Sequence, residues 1–184
     1  METPDPRLIF SGTVQGLFLV GLRERLSLST RASLREAGLD LDQDLLPAYP
    51  LSTWLRCQDI VLRTVWPDLP REEAQRRLGH AAVDGMMATM LGRVMSAAAR
   101  TLGPRMGLGQ LNRGLRASNN FQESRVTERG PGSIEVWIND IAGRPAYYVG
   151  ILEASVRVMG ARDPRVSVLR HEAPACTFLV EWVG

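Results

Sequence analysis

The stretch LGHAAVDGMMATMLGRVMSAAARTL, residues 78–102, decides how the chain is read. At about 100° per residue, Gly85, Thr89, Gly92, Ser96 and Ala99 recur at alternating steps of four and three and share one narrow face. Val83, Met87, Met90, Leu91, Val94 and Ala98 fall on the opposite face. A helix that is bulky and apolar on one side and smooth on the other has two packing partners. The spacing predicts a helix that runs through the middle of the domain.

Upstream, Pro70 opens a helix leading into this one, with Glu72 and Glu73 in a first turn that favours acids, and a bend is expected near Gly79. Before it, Ser52 can cap a helix from Thr53 to Trp66, with Trp54, Leu55, Val61, Leu62 and Val65 inward and Pro67 ending it. Leu8 to Phe10 reads as a short strand or extended entry. A helix from about Val14 follows, with Leu17, Val20, Gly21 and Leu26 inward. Thr30 can cap a second short helix that stops at Gly38, where glycine suits the left-handed helix end. From Leu39 to Pro50 a loop places Asp40, Asp42 and Asp44 at alternate positions. It resembles the start of a calcium loop, but Leu45 stands where glycine is required and Leu51 where a bidentate glutamate belongs, so a solvated acidic loop is expected.

Downstream, Gly103 and Pro104 close the helix and open GPRMGLGQLNRGLRASNN, residues 103–120, a glycine- and arginine-rich segment. The period then changes to two. Phe121 to Arg129 reads as an exposed edge strand, Gly130 to Gly132 as the turn, and Ser133 to Asn139 as a half-buried strand with Ile134, Val136 and Ile138 on one face. Pro145 starts a helix through about Met159, with Tyr148, Ile151, Leu152, Ser155 and Met159 inward and Gly160 as its stop. Val166 to His171 and Thr177 to Trp182 are the last strands. The expected fold is α+β, a single domain over residues 1–184. Helices pack on a four- to five-stranded antiparallel sheet, with a helical first part and a strand-rich last third.

At 184 residues and 45% hydrophobic content, the chain suits one soluble globular domain. All 22 of its basic residues are arginine, which makes the surface one of forked, permanently charged donors. A net charge of +2 gives little long-range steering, and no aromatic residues interleave with the arginines, so nucleic acid is not expected as a partner. Cys57 and Cys176 lie far apart in apolar surroundings, which suits free thiols in a reducing compartment. The opening METPDPRLIF carries acids and prolines where a signal peptide is basic and then apolar, and no apolar stretch suffices to span a bilayer. The expected location is the cytoplasm.

No catalytic constellation is convincing. His80 and Asp84 stand four apart and share a helix face, the spacing of a base and its orienting carboxylate, but no nucleophile or third ligand accompanies them. His171 ends a strand beside Glu172 as an ordinary rim residue. The cysteines lack zinc-site spacing, and Gly107-Leu108-Gly109 lacks the lysine and hydroxyl residue of a phosphate loop. No acid occurs between Asp84 and Glu123, so Arg105, Arg113 and Arg116 are candidates for holding a phosphate or carboxylate, and a solvated basic surface is the favoured alternative. Met86, Met87, Met90 and Met95 make a soft wall that can line an apolar pocket. Met87, Met90, Val94, Tyr148 and Leu152 are the candidate ligand-binding residues, and core packing is the competing explanation for them. No metal site and no catalytic residue is assigned.

Several features coincide: Phe10-x-Gly12-Thr13-x-x-Gly16-Leu17, Tyr49-Pro50, Gly79 with Gly85, Thr89 and Gly92-Arg93, the pair Asn119-Asn120, and the ending Cys176-Thr177-Phe178-Leu179-Val180-Glu181-Trp182. Together they resemble a paralogous bacterial family of unknown function, of about this length, expanded in certain predatory soil bacteria. More distantly, the helical first part and the ending with Gly150, Cys176, Phe178 and Trp182 resemble a ligand-binding fold. That fold is shared by vinyl-reductase-type sensory domains, haem nitric-oxide-binding domains and Golgi transport-particle subunits. The resemblance implies helices on an antiparallel sheet, pairing as a homodimer, and in some members an interior apolar pocket. The proximal haem histidine with its tyrosine, serine and arginine motif, and the zinc-binding cysteine cluster, have no counterpart here, so no cofactor is expected. The function expected is a non-enzymatic sensory or interaction domain, with a small apolar or amphipathic ligand and an unknown protein partner. A structural adaptor without a ligand is the alternative.

Overall fold

A computed structural model describes residues 6–183; Glu2, Pro4 and Asp5 of the opening and the side chains of Leu91 and Met95 lie outside the described residues. Strand β1 (Leu8–Phe10) pairs antiparallel with β2 (Ala48–Pro50), so the end of the expected acidic loop is a strand. Helix α1 (Ser11–Val14) runs directly into a π-helical stretch over Gln15–Gly21, which ends with Leu22 N–H donating to the Leu17 carbonyl at 2.9 Å. Helix α2 (Leu28–Glu36) is capped by Ser27, whose hydroxyl accepts from Thr30 N–H at 3.1 Å; Thr30 is the capped residue and not the cap. Gly38 has φ +100° and follows the helix end as expected. Helix α3 (Leu51–Val65) buries Trp54, Cys57, Val61 and Leu62 and begins directly after β2.

The stretch 78–102 is two helices. Helix α4 (Arg71–Ala88) stops at Thr89, and α5 (Met90–Gly109) starts anew. Thr89 leaves the helical backbone at φ −67°, ψ 160°, and its Oγ1 accepts from Gly92 N–H at 3.0 Å. A threonine that caps its own following turn breaks the helix without changing the 100° period, so the pattern hides the break. Past Gly103, at φ +74°, the chain kinks but stays helical to Gly109, and α6 (Leu111–Ser118) follows. The glycine- and arginine-rich segment is therefore largely helix, with Leu108 and Leu115 anchoring it in the core.

The last third follows the expected order: β3 (Ser124–Gly130), β4 (Ser133–Ile138), α7 (Pro145–Val158), β5 (Arg162–Glu172) and β6 (Ala175–Val183). The four strands form an antiparallel sheet in the order β3-β4-β6-β5. Register pairs Ile134 with Val180, Val136 with Phe178 and Ile138 with Cys176, so all six face one side and are buried. Helix α7 covers the β5 side of the sheet, α4 stacks on α7, and the π-helical stretch lies on α4.

Glycine sets these distances. A Cβ on Gly85 would stand 2.0 Å from the Gly16 carbonyl oxygen, and one on Gly21 2.2 Å from that of Ala81. The small-residue face read from the sequence is thus inward, and in α4 the opposite face is inward as well at Val83, 4% exposed. The bulky face of α5 points to solvent, with Met90 87% and Val94 68% exposed. Among the described residues no helix is long and apolar enough to cross a membrane.

Candidate functional site

Three polar clusters sit where the helical part meets α7 and the sheet. The first joins α4 to α7. Arg76 and His80, one turn apart, converge on Glu153 of α7. Arg76 Nε and Nη2 donate to the two carboxylate oxygens at 2.7 and 2.9 Å, and His80 Nε2 lies 2.9 Å from Oε2. Glu153 is buried to 4% side-chain exposure within an otherwise apolar helix. Burial pushes its carboxyl up, but the hydrogen bonds from His80 and Arg76 and the guanidinium charge outweigh this and hold it below the ordinary carboxylate value. His80 is committed to Glu153, not to Asp84, which is exposed. Sequence spacing cannot see this pair, since its members are 73 residues apart. The one signal was a carboxylate among the apolar residues of α7.

The second cluster ties α3 to the start of α7. Arg144, itself 7% exposed, donates to both oxygens of Asp59 at 3.1 and 2.9 Å and to the Leu55 carbonyl at 3.2 Å. Arg71 Nη2 adds a bond to Asp59 at 2.9 Å. Burial raises the Asp59 carboxyl, and the Arg144 bond and charge, helped by Arg71, bring it below its ordinary value.

The third explains the Asn119-Asn120 pair. Asn119 Oδ1 accepts from Gln122 N–H at 2.8 Å and Phe121 N–H at 3.2 Å, while its Nδ2 donates to Gln122 Oε1 at 2.8 Å. Gln122 Nε2 then donates to the Tyr148 hydroxyl at 2.5 Å and to the Asp140 carbonyl. Asn120 accepts from Leu8 N–H at 2.8 Å and donates to the Pro6 carbonyl at 2.9 Å. These asparagines bind the first strand to the last third of the chain. Burial pushes the Tyr148 hydroxyl well above its ordinary value, so it stays a neutral donor and acceptor.

The five candidate ligand residues do not converge. Tyr148 and Leu152 are buried on α7, Met87 is half-buried at the end of α4, and Met90 and Val94 face solvent from α5. The candidate anion residues are already engaged in part. Arg105 Nε donates to Glu128 Oε1 at 2.6 Å and its Nη2 to Oε2, and Arg116 donates to Glu123 at 2.6 Å. Arg113 is exposed. The acid-free stretch of sequence is therefore supplied with carboxylates from β3 and the turn before it. Asp42, likewise, is bound by Arg31 and Arg35. Among the described residues, no group of three His, Cys, Asp or Glu is placed to hold a metal ion. Cys176 is buried, and burial raises the Cys57 thiol to about 11, which keeps it protonated and unreactive.

A family model described as "Protein of unknown function (DUF2378)" matches residues 7–183. No curated protein matches the sequence significantly. Solved structures with the same fold include a haem protein studied for porphyrin distortion, 14% identical at a TM-score of 0.72 over 95% of this chain and 96% of that one. An H-NOX protein from S. oneidensis is 12% identical at a TM-score of 0.71, over 96% and 97%. An oxygen-binding H-NOX domain related to soluble guanylate cyclases is 14% identical at a TM-score of 0.64, over 95% and 96%. At this identity the likeness concerns the fold.

The haem of such proteins is not matched by the residues present here. A haem needs an axial ligand and an apolar slot as wide as its ring. Of the two histidines, His80 is bonded to a buried carboxylate, and His171 is exposed on β5. Helices α4 and α7 meet backbone to backbone, and Phe18, Leu78, Leu152 and Phe178 are fully buried in the interior.

Proposed function

The chain belongs to the DUF2378 family, and from that premise we propose that it is a non-enzymatic sensory or interaction domain that works as a cytoplasmic homodimer and passes its signal through protein contacts. The observation that carries this reading is the H-NOX-like fold over 95% of the chain. His80 supports the non-enzymatic part, because its one hydrogen-bonding carboxylate is shared with Arg76 and serves to join two helices.

Two versions differ in whether a ligand is the signal. The ligand-bearing version draws on Gln58, fully buried on α3, whose Oε1 and Nε2 find no hydrogen-bond partner among the described residues. An unmet buried amide costs about 1–3 kcal/mol, which a polar group of a small amphipathic ligand would offset. Of the residues expected to hold a ligand, Tyr148 and Leu152 are buried and available to such a site, Met87 is half-buried, and Met90 and Val94 belong to the surface. The adaptor version draws on the backbone-to-backbone crossing of α4 and α7 and has no ligand. Mass spectrometry under native and then denaturing conditions separates them. A dimer that releases an added mass on denaturation supports the first version, and an apo dimer supports the second. An apo monomer overturns the sensory-pair reading.

A further inference from the structure

Helix α5 has its apolar face on the wrong side for a globular protein. Its small residues, Gly92, Ser96 and Ala99, turn inward, and a Cβ on Gly92 would stand 2.0 Å from the Met86 carbonyl oxygen. The opposite face carries Met90, Val94, Ala97, Ala98, Thr101 and Leu102, all exposed. Met106, beyond the kink, is 60% exposed as well. Single exposed apolar residues are ordinary, but a largely apolar stripe along more than three helical turns marks a surface that is covered in use. Methionine adapts its shape to a partner at little cost.

Charge determines what covers it. Arg93 and Arg100 are seven residues apart and line one edge of the stripe, both exposed. No acid occurs anywhere on α5 or α6. In paired helices the edge positions select the partner through opposite charge. A second copy of this helix packed antiparallel sets its arginine edge against the same arginine edge. Packed parallel, it offers Ala98 and Leu102 there, with no carboxylate. A second copy is thus the wrong occupant.

We propose that the outward face of α5 docks an amphipathic helix of another protein, whose apolar stripe is flanked by Asp or Glu along the edge that meets Arg93 and Arg100. This rests on the reading of the protein as a domain that signals by contact and names the partner's chemistry. The partner's apolar residues interleave with Met90, Val94 and Leu102. Its carboxylates pair with the two guanidinium groups at the rim, where they set orientation and partner choice more than affinity.

The test uses the full chain and two labelled helical peptides of about three heptads, identical in their leucine stripe, one with Glu and one with Lys along a single flanking edge. Fluorescence anisotropy is expected to show the Glu peptide binding about tenfold more tightly than the Lys peptide. The double variant Arg93→Glu/Arg100→Glu reverses that order, and Met90→Gln/Val94→Gln removes binding of both while circular dichroism shows an intact fold. Equal binding of the two peptides, or binding of neither by the folded chain, overturns the proposal. So does a dimer in sedimentation that Met90→Gln/Val94→Gln converts to monomer, since a second copy then covers the face. An apo monomer in mass spectrometry that still discriminates the peptides removes the sensory-pair reading and keeps this partner. A ligand-bearing dimer that fails to discriminate them removes only the acidic helix.

Discussion

Gly79 of α4 and Gly150 of α7 face each other at the closest crossing of the two helices. A Cβ on Gly79 would lie 2.2 Å from the Tyr147 carbonyl oxygen, and one on Gly150 2.0 Å from that of Arg76. Both obstacles are backbone, which cannot rotate away. This close crossing brings Arg76 and His80 of α4 within hydrogen-bond distance of Glu153 of α7.

Gly150→Ala is therefore expected to cost about 3 kcal/mol or more, at the upper end of overpacking effects. Gly114→Ala in α6 is the control. Nothing lies within 4 Å of its added Cβ, and replacing a helical glycine should stabilise by about 0.4–1 kcal/mol. Urea denaturation of both variants checks the pair, and equal effects would remove the packing account of Gly150.

Glu153 makes the stability depend on acid. Its carboxyl titrates below its ordinary 4.5 in the folded chain, so the ionised form stabilises the fold at and above that value. That contribution is lost as pH falls below about 4.5. Glu153→Gln is expected to lose about 1–3 kcal/mol at neutral pH, with its stability curve converging on that of the native chain in acid. Curves that stay parallel down to pH ~3 would show that this carboxylate carries no charge-dependent stability.

Met90→Trp is expected to leave the fold intact, with stability within about 0.5 kcal/mol of the native chain, because this side chain is 87% exposed. Thermal unfolding measures this. A large loss would mean that Met90 is covered in the isolated protein.

The neighbours Asn119 and Asn120 should differ in effect. Asn119→Ala strips two backbone N–H groups and a buried glutamine of their partner and is expected to cost about 2–3 kcal/mol. Asn120→Ala loses bonds at an exposed site, at about 1 kcal/mol. Denaturant midpoints of the two variants, compared at equal slope, decide this.

The sequence by itself determined what is local. The change of period from helical to two near Phe121 marked the sheet, because side-chain alternation is a property of the strand alone. Glycine and proline marked a helix end at Gly38, a turn at Gly132 and a helix start at Pro145, because they act through their own backbone. The split of residues 78–102 into a small face and a bulky face was also legible. Tertiary structure alone decided that α5 keeps only its small face inside and turns the bulky one to solvent. Backbone contact between Gly16 and Gly85 draws the small face inward, and the energy of such an approach depends on the partner helix, 69 residues away. For the same reason, His80 takes its partner from α7 and not from its own helix. Arg105 and Arg116, which stand in an acid-free stretch of sequence, are paired in the fold with Glu128 and Glu123. An ion pair is chosen by distance in space, and only the folded chain sets that distance.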